Sequence, residues 1–176
     1  MKLIAATAVF SLASVIAGIP IGQTIIPETL SIYHGYNGRI EYNVGTGKVS
    51  RVQNGNDDIS TLVTFNFPEA TRGRKCELKF ERDDGYPTSS PSIIDAFTSS
   101  QIATGPSPGW GPPSNYRDVQ LGRLRVPTSG QATVDWGNFV FDCPAGQKKG
   151  YEFAPTGDST YLEWSKSTDG PYIRYY

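Results

Sequence analysis

The 176-residue chain holds one histidine and two cysteines, and these two scarcities remove most of the catalytic repertoire. A zinc or copper centre built from several histidines is excluded, and any Ser-His-Asp arrangement would have to use His34. The Gly-x-Ser-x-Gly match at Gly105-Pro106-Ser107-Pro108-Gly109 has a proline on each side of its serine, which does not suit a strand-to-helix elbow, so His34, in Tyr33-His34-Gly35-Tyr36, reads as a solvated histidine. Basic residues are not in excess: 16 Lys and Arg stand against 17 Asp and Glu. Nucleic acid, whose phosphates select for concentrated positive charge, is therefore not the expected partner. None of the asparagines (37, 43, 54, 56, 66, 115, 138) starts an Asn-x-Ser/Thr acceptor, so solubility rests on the folded surface rather than on N-linked sugar. Nor does any uninterrupted segment keep the three-four spacing of an amphipathic helix over several turns.

The longest apolar run is Leu3 to Ala17, behind Lys2 and ahead of Pro20. It falls short of the roughly 20 residues of a spanning helix and is interrupted by Thr7, Ser11 and Ser14. It reads as a secretory leader, residues 1–18, cut after Ala17 or Gly18. No later stretch supports a membrane anchor or a lipid-anchor signal. An exported chain matures where disulfides persist, so Cys76 and Cys143 are expected to bond to each other. That bridge closes a loop of roughly 68 residues, for which chain entropy gives an upper figure of about 4 kcal/mol.

With helices set aside, 19 glycines and 13 prolines act as punctuation between short strands. Cys76-Glu77-Leu78-Lys79-Phe80-Glu81-Arg82 alternates most clearly, with Cys76, Leu78 and Phe80 on one face. Leu62 to Phe67 turns Val63, Phe65 and Phe67 inward and stops at Pro68. Arg39 to Val44 and Lys48 to Val52 read as a hairpin about Gly45-Thr46-Gly47. Further strands are expected at 93–98, 119–126, 133–143, 151–154, 161–165 and 172–175, the last, with Tyr172, Tyr175 and Tyr176, as an edge strand. In 133–143 the inward phase is read as Val134 and Trp136, then Phe139, Phe141 and Cys143, with a bulge at Gly137. The pattern predicts an all-β, antiparallel sandwich of about eight short strands with one disulfide, a small closed barrel being the alternative. Ala103 to Asn115, rich in Pro and Gly, reads as an exposed loop.

The order of segments carries a resemblance. Thr-Leu-Val-Thr-Phe-Asn-Phe-Pro (61–68), Gly-Arg-Lys-Cys-Glu-Leu-Lys-Phe (73–80), Ile94-Asp95-Ala96-Phe97, Leu121-Gly122-Arg123-Leu124 and Phe141-Asp142-Cys143-Pro144-Ala145-Gly146-Gln147 together resemble the But2 C-terminal domain family, a group of fungal, mostly secreted domains. The resemblance spans 44–176 and leaves 19–43 as an N-terminal extension. It implies a fold and paired cysteines, with no shared catalytic motif. The family is named for an intracellular ubiquitin-like pathway, a different compartment from the one the leader indicates.

Among chemical candidates, Asp57-Asp58 and Asp83-Asp84 read as turn formers rather than a glycosidase pair. Asn54, Asn56 and Asp58 alternate like a calcium loop, yet Phe65 stands where its twelfth-position glutamate belongs. Arg72, Arg74 and Lys75 read as a solvated loop. Trp110, between Gly109 and Gly111, and Tyr116 are the aromatics that strand phase does not send inward, and they are the candidate ligand-binding residues. The expectation is a secreted, monomeric, non-enzymatic binding or structural domain without cofactor or metal. It would act outside the cell or at a fungal wall, on a protein or a wall polysaccharide, and as a host-directed effector in one version. A carbohydrate-binding module using Trp110 and Tyr116, and a hydrolase with a site not visible in the sequence, are the alternatives.

Overall fold

The computed structural model describes residues 23–52, 58–82, 87–89, 91–105 and 116–176. The leader, Asn54, Asn56, Asp57, Asp83, Asp84 and Trp110 lie outside the described residues. The first strands are β1 (Gln23–Ile25), β2 (Thr29–His34), β3 (Ile40–Glu41), β4 (Thr46–Val52), β5 (Ile59–Asn66), β6 (Lys75–Arg82) and β7 (Ser92–Ser99). There follow β8 (Arg117–Val126), β9 (Gly130–Gln131), β10 (Thr133–Gly137), β11 (Val140–Asp142), β12 (Lys148–Pro155), β13 (Ser159–Ser165) and β14 (Gly170–Tyr175). Every strand pairing among the described residues is antiparallel. The described residues include one 3₁₀ turn, Glu69–Thr71, and no α-helix.

A larger sheet runs β10-β8-β7-β12-β5-β2-β3, with β4 joined to β5 and β13 joined to β4. A smaller sheet runs β1-β14-β6-β11, with β9 beside β6. The two pack face to face as a sandwich, and among the described residues neither closes into a barrel. The core between them takes Leu30, Val63, Phe65, Ile94, Leu124, Phe153 and Trp164 from the larger sheet, and Cys76, Leu78, Phe80 and Ile173 from the smaller. Phe80 sits at its centre, edge to face with Trp164 at 5.1 Å and with Phe153 at 5.7 Å, the arrangement that ring quadrupoles favour. Trp164 fits because two glycines flank its indole: a Cβ on Gly47 or on Gly170 would lie within about 2.2 Å of ring atoms.

That contact corrects the expected hairpin at residues 45–47. β3 pairs with β2 and β4 pairs with β13, so Gly47 serves the core rather than a turn. The terminal tyrosines are also corrected: β14 lies inside the smaller sheet, between β1 and β6, because residues 23–25 supply the strand that covers its flank. The segment 133–143 is two strands in two sheets. β10 pairs with β8 on the larger sheet, and after Gly137 the chain steps across, where Phe139 accepts from the Leu78 N–H at 2.9 Å and β11 pairs with β6. Gly137 has a φ of 108° and faces Gly122 so closely that a Cβ on Gly137 would lie 2.4 Å from the Gly122 Cα. Phe139 is core as expected, but Val134 and Trp136 are exposed, on an edge strand, β10, whose five residues are all exposed.

The expected disulfide joins Cys76 to Cys143 with their Cα atoms 5.1 Å apart. Cys76 is fully buried on β6, whereas Cys143, expected to point into the core, is half-buried at its rim just past β11. The turn after Cys143 docks onto the end of β5: Phe67 N–H donates to the Gln147 carbonyl at 2.9 Å and Gly146 N–H to the Phe67 carbonyl at 2.8 Å.

Candidate binding face and groove

Strand alternation decides which side chains the larger sheet shows to solvent. Phe153, Ile94 and Leu124 face the core, so their neighbours Glu152, Asp95 and Arg123 occupy the outer face. Arg51, Arg117, Arg123 and Arg125 each meet a carboxylate through two nitrogens. Arg123 Nε and Nη2 donate to Asp95 at 2.8 and 3.1 Å, and Arg125 Nε and Nη2 to Asp135 at 3.1 and 2.9 Å. Arg51 holds Asp58 through Nε and Nη2, with a closest approach of 2.6 Å. Arg117 donates to Glu152 through Nη2 at 2.5 Å and Nε at 3.0 Å. Such forked pairs fix both partners in orientation as well as in charge.

Glu152 is the most buried of these acids, with no exposed surface. Its Oε1 also accepts from Ser60 Oγ at 2.6 Å. Arg117 lies over the Phe97 ring at 4.4 Å, which adds a cation–π contact to the ion pair. Tyr33, beside this pair, has its phenol raised above the usual value by burial and by the Glu152 charge. Tyr33, Gly35, Arg51, Asp58, Ser60 and Arg117 border a shallow cavity of about 190 Å³.

The start of the expected exposed loop is instead a strap across this face. Ser31 Oγ on β2 donates to the Ala103 carbonyl at 2.8 Å, and Asn43 Nδ2 donates to the Thr104 carbonyl at 3.1 Å. Ala103 is buried as a result, in a small outer cluster with Leu62, Tyr33, Ile40 and Tyr42. Tyr116 joins that cluster, half-buried, and its carbonyl accepts from Ser100 N–H at 3.0 Å. The other candidate aromatic, Trp110, lies outside the described residues. His34 is corrected from solvated to buried: its Nε2 lies 3.0 Å from both Glu41 Oε1 and Arg39 Nη2, which are themselves paired at 2.7 Å. Arg72, Arg74 and Lys75 are exposed as expected, Arg72 pairing with Glu69 and Lys75 with Asp142.

Strand phase read directly misses Trp136. Its side chain is 46 % exposed and stands on the outer face, since Trp136 pairs with the outward Arg123. The signal for it was present in Gly122 and Gly137, whose facing glycines mark the crossover that ends β10.

A second concavity lies next to the disulfide. It is a groove of about 630 Å³ with Leu121, Phe141 and Tyr151 among its apolar walls and Asp118, Asn138 and Lys149 among its polar ones. Burial pushes the Tyr151 phenol well above the ordinary tyrosine value. Among the described residues no three His, Cys, Asp or Glu side chains cluster as a metal site would require. No protein-family model matches the chain, and no curated protein matches it.

Proposed function

We propose that this chain is an exported, non-enzymatic binding domain of the But2-like type that acts outside the cell or at a fungal wall. The observation that carries the reading is the outer face of the larger sheet, where Asp58, Asp95, Asp135 and Glu152 are each forked to an arginine. A carboxylate held this way is a fixed acceptor beside a fixed donor, which suits recognition of a polar ligand. A general acid or base instead needs a carboxyl group free to exchange its proton with substrate. The Cys76–Cys143 bridge fits an oxidising compartment. The segments that carry the But2 resemblance support the assignment by their mutual contacts: 61–68 is β5 and its end, 73–80 opens β6, and the turn at 143–147 hydrogen-bonds to Phe67 between them.

Fractionation of the producing cells, with proteomics of medium, wall and cytosol, tests the reading. Recovery from medium or wall, with the disulfide intact by non-reducing mass spectrometry, is expected. A protein confined to cytosol with two free thiols overturns it.

A further inference from the structure

Trp136 and the two ion pairs beside it form one continuous strip of the outer face. The register aligns Trp136 on β10 with Arg123 on β8 and Asp95 on β7, three successive strands. Arg125, one step along β8 on the same face, reaches back to Asp135, next to Trp136 in the chain. Asp135 also lies near enough to Arg123 to help hold its charge. The strip is therefore a flat, exposed indole followed by two guanidinium groups and two carboxylates whose charges cancel.

Two properties identify what it fits. The charges are cancelled, so the strip offers no excess field to gather a phosphate, sulfate or polyuronate ligand. What remains is hydrogen bonding. Each of Arg123 and Arg125 directs two donor nitrogens at its carboxylate. A guanidinium has five N–H groups and a carboxylate about four acceptor positions, so each forked pair keeps both donor and acceptor capacity beyond its own two bonds. A ligand that is uncharged, rich in hydroxyls able both to give and to accept, and equipped with a flat C–H face for an indole is a neutral saccharide. Successive strands lie about 4.8 Å apart, close to the rise of one ring along an extended chain, so several rings could address successive strands.

We infer that Trp136, with the Arg123–Asp95 and Arg125–Asp135 pairs, is a binding strip for a neutral, extended oligosaccharide chain. The inference rests on the reading of the protein as a binding domain, and it moves the expected sugar contact from Trp110 and Tyr116 to the edge of the larger sheet.

Titration calorimetry of the purified, oxidised protein with laminarihexaose, cellohexaose and chitohexaose is the test, with a pectic oligouronate as the charged control. Binding to at least one neutral hexasaccharide is expected, little changed by added salt and weakened about tenfold by Trp136→Ala. Trp136→Tyr should retain a good part of it, and Asp135→Asn should weaken it severalfold in a protein whose melting temperature is unchanged. Tyr116→Ala and Trp110→Ala should leave the affinity where it was. Absence of heat with every neutral hexasaccharide overturns the inference. So does salt-sensitive binding to the oligouronate alone, or loss of binding in the Trp110 or Tyr116 variant but not in Trp136→Ala. The assay is independent of where the cell sends the protein, so a failure here leaves export standing, and a cytosolic location with intact sugar binding overturns only export.

Discussion

Glu152 is fully buried, yet it sits on the face of the larger sheet that alternation assigns to solvent. Its burial is tolerable only because Arg117 and Ser60 fill its acceptor positions. Glu152→Gln keeps the shape and removes the charge, leaving Arg117 half-buried without its counterion. Stability should fall by about 2–3 kcal/mol in urea denaturation, while Glu152→Met with Arg117→Met recovers most of the loss. Were the single variant as stable as the parent, the pair would have no structural role. The indole of Trp164 sets a different constraint, since glycines press on it from β4 and β14. Gly47→Ala should cost about 2 kcal/mol or more by overpacking, measured the same way, although alanine otherwise suits a strand no worse than glycine.

Elements show where sequence periodicity carries the fold and where it stops. Alternation in 76–82 and in 62–67 places Cys76, Leu78, Phe80, Val63, Phe65 and Phe67 correctly, because both strands lie in sheet interiors with one face on the core. It fails in 133–137, because an edge strand exposed along its whole length has no covered face to impose a period. It fails for 45–47, since a glycine required by a distant indole looks locally like a glycine required by a turn. The strap at 100–105 was hidden for the same reason: its anchor is Ser31, 72 residues away from Ala103. The candidate site depends on these long-range placements, so Trp136 and the four ion pairs were not legible, whereas the sandwich and its disulfide were. The crossover between β10 and β11 gives a test at this scale. Gly137→Val demands a positive φ from a β-branched residue and a side chain where the Gly122 backbone stands. It should destabilise the domain by about 3 kcal/mol or prevent folding, read from denaturation midpoint and yield of folded protein, and a neutral outcome would mean that the chain crosses differently.

At the scale of the whole molecule, alkaline pH acts on several tyrosines together. Burial raises the phenols of Tyr151 and Tyr33, the latter with help from Glu152. The hydrogen bond to Glu163, followed by burial, raises that of Tyr161, and burial raises that of Tyr172. Folded values above the unfolded value of about 10 favour the protonated, folded state. Their contribution is complete below about pH 10 and is lost as pH climbs through the raised values, so unfolding should steepen there. Absorbance at 295 nm should report a fraction of the ten tyrosines ionising only as the fold is lost. The bridge ties β6 to the segment after β11, so Cys76→Ala with Cys143→Ala should lower unfolding free energy by about 2–5 kcal/mol and reduce the yield of folded protein. The same bridge also has a mechanical meaning. Gln23 and Tyr175 face each other on paired strands, so tension applied at these two ends peels β1 from β14 one hydrogen bond at a time, at low force. Extension then halts at the two sulfurs, which hold the chain between them, a sequence separation of 67, out of the stretched length. The oxidised molecule should stretch about 230 Å less than the reduced one, making the domain a tether of fixed reach wherever it is anchored.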